Sequence, residues 1–433
     1  MKRLFKGAAI ITANKNFDII NNGMLGIKDN EITYVGEYSS EYEKEFDADA
    51  IVHANNKVLM PGLINMHTHL PMTLFRGYAS DLALDEWLQQ KILPAEQKMT
   101  AADVKIGTKI ACAEMILSGT TMCLDMYMHA DAIADVLHEM GLRAAVSYSY
   151  DADGGIEKVL KLAEHCRALD AAKLRAIAAL HLSYDGTDDK QAIKKYIADC
   201  KESNKRIHFH AADSHEQAAK CREAEGMSPI KYLESLGALG ANAIAVHCVA
   251  VSDEDLELLK KYNVSVVYCP TSDAKIASGF APIEKMLKMG INVCIGTDGG
   301  ASNNNMDMLE EMHIGSVIAK GFSQNPAAMN AQETIKMATI NGAKALGIDN
   351  LVGSLEKGKR ADIIMFNQSS PFFLPKGELC NNIVYSASRN ELEMAMVGGK
   401  TLMERGQLLN NNYDKLAAIF EEASARLTEK ENE

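Results

Sequence analysis

A chain of 433 residues, 47% hydrophobic and 24% charged, has the composition of a folded globular protein with room for one large domain and a smaller partner. Its net charge of −13, with lysines and arginines scattered rather than massed, argues against a nucleic-acid or membrane surface as partner. Nine cysteines at irregular spacings, with no Cys-x-x-Cys pair, fit reduced thiols and a cytoplasmic setting.

The N-terminus opens with basic residues before a short apolar run, as a signal peptide does. Lys6 interrupts that run, and Asn14, Lys15 and Asn16 end it, so a first β-strand is expected there. No stretch nears the roughly 18 consecutive apolar residues of a membrane span. Residues 1–57 continue as short strands with turns at Asn21-Asn22-Gly23 and Lys28-Asp29-Asn30. Apolar, β-branched-rich runs then recur at 58–66, 120–126, 143–150, 174–184, 206–213, 243–251, 265–273 and 292–300. Amphipathic stretches such as 101–117, 156–169, 190–203 and 253–262 separate them. This alternation predicts an α/β fold, a (β/α)8 TIM barrel over 58–358. Strand-like runs return at 361–366 and 393–397, followed by a Gly398-Gly399 turn, and 413–430 reads as a surface helix. A small β-sandwich domain built from 1–57 and 359–433 is therefore expected beside the barrel.

His67 and His69 stand two apart at the end of the first run, so both imidazoles can reach one ion. His181 ends the core of the fourth run, His208 and His210 fall in the fifth, His247 in the sixth and Asp298 in the eighth. In a barrel these strand ends share one face, the active-site face. Core packing does not account for such convergence, whereas a nitrogen- and oxygen-ligated Zn²⁺ or Fe²⁺ does. His138, His165 and His313 lie in helical stretches and read as structural, as do Cys248, Cys269 and Cys294 in their strands.

The segment from Pro61 to His69, the spacing of His210 and Asp213, His247, and Thr297-Asp298 together resemble the amidohydrolase superfamily. Leu70 to Gly77, Glu86-Trp87-Leu88, Leu93 to Glu96 and Gly353 to Gly358 narrow the likeness. They resemble the methylthioadenosine/S-adenosylhomocysteine deaminase and triazine chlorohydrolase branch. The resemblance implies one metal, most simply zinc, held by His67, His69, His210 and Asp298. It implies that Asp298 also orients the attacking water, that His247 stabilises the added oxygen, and that the carboxylate at 213 moves a proton to the ring nitrogen. Glu96 would receive ribose hydroxyls, His181 would contact the ring, and Trp87 would line the pocket or pack a helix. The partners implied are a small heterocyclic substrate and water, and barrels of this type often associate, so a homo-oligomer is expected.

Two positions depart from the branch. Asp213 stands where it carries glutamate, which retracts the carboxylate by about 1.5 Å. Tyr148 stands where some members carry an arginine that reads an amino-acid carboxylate, and Gly155-Ile156 lies near the place of a second. Tyrosine cannot supply that bidentate recognition. The leading expectation is a hydrolytic deaminase of an adenosine-type nucleoside. The alternatives are a pterin or free-base deaminase, a triazine chlorohydrolase-like enzyme, and a binding paralogue without turnover.

Overall fold

Alternation of β-branched runs with helices yields two five-stranded parallel sheets in the computed structural model, which describes residues 1–82, 84–148, 155–409 and 413–429. The first sheet runs Asp298–Gly299, Leu63–His69, Thr120–Met126, Arg143–Ser147, Leu174–Ala176. The second runs Ala178–Leu180, Ile207–Ala211, Ala243–His247, Ser265–Tyr268, Val293–Ile295. The fourth and eighth predicted runs each contribute a strand to both sheets. They are interrupted by Ile177 in one case and by Gly296-Thr297 in the other. Almost every residue of these strands is buried, as expected when helices cover a parallel sheet. Capping boxes start several of the helices, among them Thr100 with Asp103 before Ala101–Leu117 and Ser252 with Asp255 before Asp253–Lys261.

Several run boundaries differ from expectation, each for a local reason. The run at 58–66 is two strands. Lys57–Pro61 pairs with Ile363–Asn367 and Lys2–Ile11, whereas Leu63–His69 pairs with Thr120–Met126. Gly62 makes the passage between them, where a Cβ would sit 2.1 Å from Thr121 Oγ1. The run at 265–273 is strand only to Tyr268, because Pro270 opens the helix Pro270–Lys275. The run at 206–213 is strand over Ile207–Ala211, and that at 243–251 ends at His247. The strand Arg143–Ser147 stops before 149 and 150, and the helix Tyr413–Thr428 before 430; those three positions lie outside the described residues.

Both ends of the chain enter one nine-stranded sheet, in which Ile363–Asn367 pairs with Lys57–Pro61 and, on its other side, with Leu392–Val397. A buried ion pair ties this sheet to the parallel strands: Arg143 Nε and Nη2 donate to Asp362 at 2.7 and 3.0 Å. Asp362 Oδ1 also accepts from Gly398 N at 2.7 Å, so the turn after Leu392–Val397 is fixed to the same carboxylate. Among the described residues, no helix is long and apolar enough to cross a membrane.

Candidate metal centre and active site

Parallel register brings the chemistry-bearing side chains to the carboxyl ends of the strands. Asp298 pairs with Thr68, between His67 and His69, while His210 and Ala211 pair with Val246 and His247. Asp298 Oδ1 then lies 3.2 Å from His67 Nε2 and 3.3 Å from His69 Nε2, and His210 Nε2 lies 3.2 Å from His67 Nε2. Ligand atoms about 2.0–2.1 Å from a tetrahedral ion stand about 3.3–3.4 Å apart, so these separations suit one small divalent cation.

The proton inventory suits a cation as well. His69 Nδ1 lies 2.6 Å from the carbonyl of Met126 and must donate to it, so Nε2 is the ring atom turned to Asp298. Burial pushes His67 down to about 4 and His210 well below the usual imidazole range, so both are neutral. Asp298 Oδ2 accepts from Ser272 Oγ at 2.6 Å and from Ser302 Oγ at 3.0 Å, which aims Oδ1 at the imidazoles. Burial opposes the charge on Asp298, yet hydrogen bonding to His67 and the positive charge of His247 hold it well below the usual carboxylate range. Neutral imidazoles around an oriented carboxylate form a ligand set, and the hydroxyls beside it supply the outer support such sites use.

His247 and Asp298 occupy the left-handed region, with φ of +69° and +65°. Aspartate and histidine enter this region more readily than most side chains. His247 Nδ1 is 2.7 Å from Asp273 Oδ1, and Asp273 is buried. Burial opposes a charge on His247, but Asp273, with Asp213 and Asp298 behind it, raises the imidazole to about 10. Burial pushes Asp213 up to about 6. Gln217 Nε2 donates to its Oδ2 at 3.2 Å, and Oδ1 has no hydrogen-bond partner among the described residues.

A cavity of about 850 Å³ opens on this cluster, lined by His69, His210, Asp213, His247 and Asp298 at its floor. Trp87, Glu96, Tyr148 and His181 also line it, so all four residues expected near substrate face one space. Tyr127 donates its hydroxyl to Glu96 Oε1, and burial raises the Glu96 carboxyl above its ordinary value. Tyr148 donates to Asp131 Oδ1 at 2.9 Å, and Asp131 itself lines the cavity. His165 and His313 lie elsewhere, against Asp135 and the carbonyl of Val384, while Cys248, Cys269 and Cys294 are buried among apolar residues.

Sequence reasoning passed over Asp273, Ser272, Ser302, Tyr127, Gln217 and Glu311. The first two had a usable signal, since Pro270 marks a helix start that carries them to the strand ends. Glu311 is fully buried; Thr271 N and Asn303 Nδ2 donate to it at 3.2 and 2.7 Å, bracing the segments that carry Ser272 and Ser302. Burial raises its carboxyl from 4.5 to about 8. The folded protein therefore holds this proton more tightly than the unfolded chain, and stability falls as pH rises from 4.5 through about 8. Glu311→Gln, neutral throughout, loses one of the two acceptors at a cost independent of pH, and should gain on the wild type progressively from pH 4.5 up to about pH 8, as urea titrations across that range would record. A constant difference across the range would contradict the assignment.

Residues 58–402 match the amidohydrolase family. The 5-methylthioadenosine/S-adenosylhomocysteine deaminase of Thermoanaerobacter pseudethanolicus is 37% identical over 99% of this chain and 100% of its own length. The 5′-deoxyadenosine deaminase of Methanosarcina acetivorans is 37% identical over 99% of both chains. Among solved structures, a zinc-bound adenosine deaminase from Xanthomonas campestris superposes with a TM-score of 0.93 at 29% identity, covering 98% of both chains. The match to the family model and the full-length likeness of these relatives lead to one conclusion: the chain belongs to the amidohydrolase family.

Proposed function

We propose that this protein is a metal-dependent hydrolase that deaminates adenosine-type nucleosides, with His67, His69, His210 and Asp298 holding one divalent ion. The observation that carries the reading is the trio of donor separations, 3.2, 3.2 and 3.3 Å, among neutral imidazoles and one oriented carboxylate. Zinc fits this nitrogen and oxygen set, as iron(II) does, and the zinc-bound structural relative favours zinc. When bound, such an ion supplies a water acidic enough to attack near neutral pH.

The chain's own residues divide the remaining work. Asp298 Oδ1 faces the ion's position and takes a proton from the attacking water. His247, charged through Asp273, presents Nε2–H to the negative oxygen that develops at the attacked ring carbon. Asp213 Oδ1 gives its proton to the ring nitrogen, then takes the proton of the added hydroxyl and passes it to the departing amine, and the proton taken by Asp298 restores Asp213; a carboxyl near pKa 6 is matched to that traffic. A C–O bond forms, the C–N bond breaks, and ammonia leaves.

For substrate, Glu96 is positioned by Tyr127 to receive ribose hydroxyls and His181 to contact the ring, with Trp87 as apolar wall. Tyr148, held by Asp131, lacks the two-pronged donor that reads an amino-acid carboxylate. This supports nucleosides with an uncharged 5′ substituent over S-adenosylhomocysteine. We read the two parallel sheets as one closed (β/α)8 barrel, because the fourth and eighth runs belong to both. The terminal strands form its small β-sandwich companion, 1–57 with 359–433, and the split at Gly62 moves the first boundary to that residue. Nine free cysteines support a reducing, cytoplasmic compartment. A homo-oligomer is proposed from the habit of such barrels, and a monomeric sedimentation coefficient would remove it.

The test is ammonia release from the zinc-loaded protein over adenosine, 5′-deoxyadenosine, methylthioadenosine, S-adenosylhomocysteine, guanine and an aminopterin, with a chlorotriazine followed by chloride release. We expect turnover of the first three, with S-adenosylhomocysteine slower. Turnover confined to guanine, the pterin or the triazine would replace this reading. Bound metal with no turnover of any compound would leave the binding paralogue.

A further inference from the structure

Asp213 has a partner that ordinary sequence logic would assign to helix capping. Gln217 lies in the first turn of the helix His215–Glu225, where its backbone N–H donates to Ser214 Oγ at 3.1 Å. That cap fixes the backbone of Gln217, while its side chain folds back over Asp213. Gln217 Oε1 accepts from the backbone N–H of Asp213 at 3.1 Å, and Gln217 Nε2 donates to Asp213 Oδ2 at 3.2 Å. The orientation of the amide is not a free choice. The backbone N–H can only donate, so it must meet Oε1, and Nε2 is thereby turned to the carboxylate.

An aspartate carboxylate ordinarily turns over a broad range about its last side-chain bond. Here one oxygen is occupied by a donor, and the other, Oδ1, is buried with no hydrogen-bond partner among the described residues, on a residue that lines the cavity. A protonated carboxyl held this way carries its hydrogen on Oδ1, because Oδ2 already accepts a hydrogen bond. The backbone at Ala212, with φ of +52°, sets the entry to this clasp.

We propose that Gln217 is a positioning residue for deamination, clasping Asp213 at two points so that Oδ1 is the oxygen that carries the proton. The inference rests on the reading of Asp213 as the proton carrier. It explains how a side chain one methylene shorter than glutamate serves: it is locked in place and does not have to search for its geometry.

The test is a double-mutant cycle on the zinc-loaded enzyme with 5′-deoxyadenosine. Gln217→Met keeps the bulk and removes both hydrogen-bonding atoms. It should lower kcat by roughly 10²-fold, the scale of a misplacement near 1 Å. KM should change by less than about 3-fold, since no group that binds substrate is removed. Adding Gln217→Met to Asp213→Asn should cost less than about 2-fold more, because a clasp with nothing to position has no effect of its own. Gln217→Ala serves as a second probe should the methionine variant fold poorly, with the same expectations. The clasp is overturned by a Gln217 variant within about 3-fold of wild-type kcat while Asp213→Asn is severely impaired. A full additive loss in the Asp213→Asn background overturns it too. If Asp213→Asn is itself fully active, the proton-carrier reading fails first, and the clasp with it.

Discussion

His247→Asn should lower kcat by roughly 10²–10³-fold while the protein still retains its metal, as the loss of one preorganised donor to a developing oxyanion does. The expectation separates two roles that geometry alone leaves close together. One ligand atom each from His67, His210 and His247 lies within 4.8 Å of the others, so these three could hold an ion, as could His67, His69 and Asp298. A carboxylate behind an imidazole also supports many metal-ligating histidines. Charge favours the donor role. Asp273, at 1% exposure, faces His247 Nδ1 at 2.7 Å, and three carboxylates together raise the imidazole to about 10 against the opposing effect of burial. An imidazolium has no lone pair to offer, but it has an Nε2–H to donate. Metal analysis of the purified variant is the check. Loss of the ion along with activity would make His247 a ligand and displace Asp298 or His69 from the set.

The second large effect belongs to Asp213. Asp213→Asn keeps the shape and removes the transferable proton, and should cost roughly 10²–10⁴-fold in kcat. Asp213→Glu is the more informative change. It installs the glutamate that the sequence resemblance leads one to expect, yet it extends the carboxylate by about 1.5 Å beyond the position that Gln217 meets. With Gln217 placed to meet an aspartate, we expect Asp213→Glu to fall below the wild type by roughly 10²-fold. A glutamate variant with higher kcat would instead mean that the natural aspartate impairs turnover, and would strengthen the reading of a paralogue that binds without reacting. Steady-state kinetics on both variants, with metal content measured alongside, distinguishes these outcomes.

Much of this site could be read before any coordinates because metal ligation imposes residue types at strand ends. His67 and His69, His210, His247 and Asp298 each close an apolar run, and strand periodicity is a strong signal where β-branched residues are continuous. What stayed hidden depends on backbone geometry and on partners far apart in the chain. The run at 58–66 reads as one strand because its hydrophobicity is unbroken. Only the near-contact of position 62 with Thr121 reveals that it serves two sheets. Asp273 looked like the end of a strand until Pro270 was seen to open a helix that swings it beneath His247. The left-handed backbone at His247 and Asp298 has no compositional trace, since aspartate and histidine enter that region more readily than most residues yet usually lie outside it. Gln217 was concealed by its ordinariness: a glutamine in a first helical turn is common, and its bond to Asp213 appears only once the turn at Ala212 is known.

The claim on which the rest depends is that one ion at His67, His69, His210 and Asp298 drives deamination. The direct measurement is to strip the protein with a chelator, titrate Zn²⁺ back, and follow the ultraviolet absorbance of 5′-deoxyadenosine as its amino group is lost. The account predicts no turnover without metal, a linear rise in rate with added zinc, and a break at one equivalent per chain. Undiminished turnover in the stripped protein, or a fully zinc-loaded protein that leaves the absorbance unchanged, would contradict it.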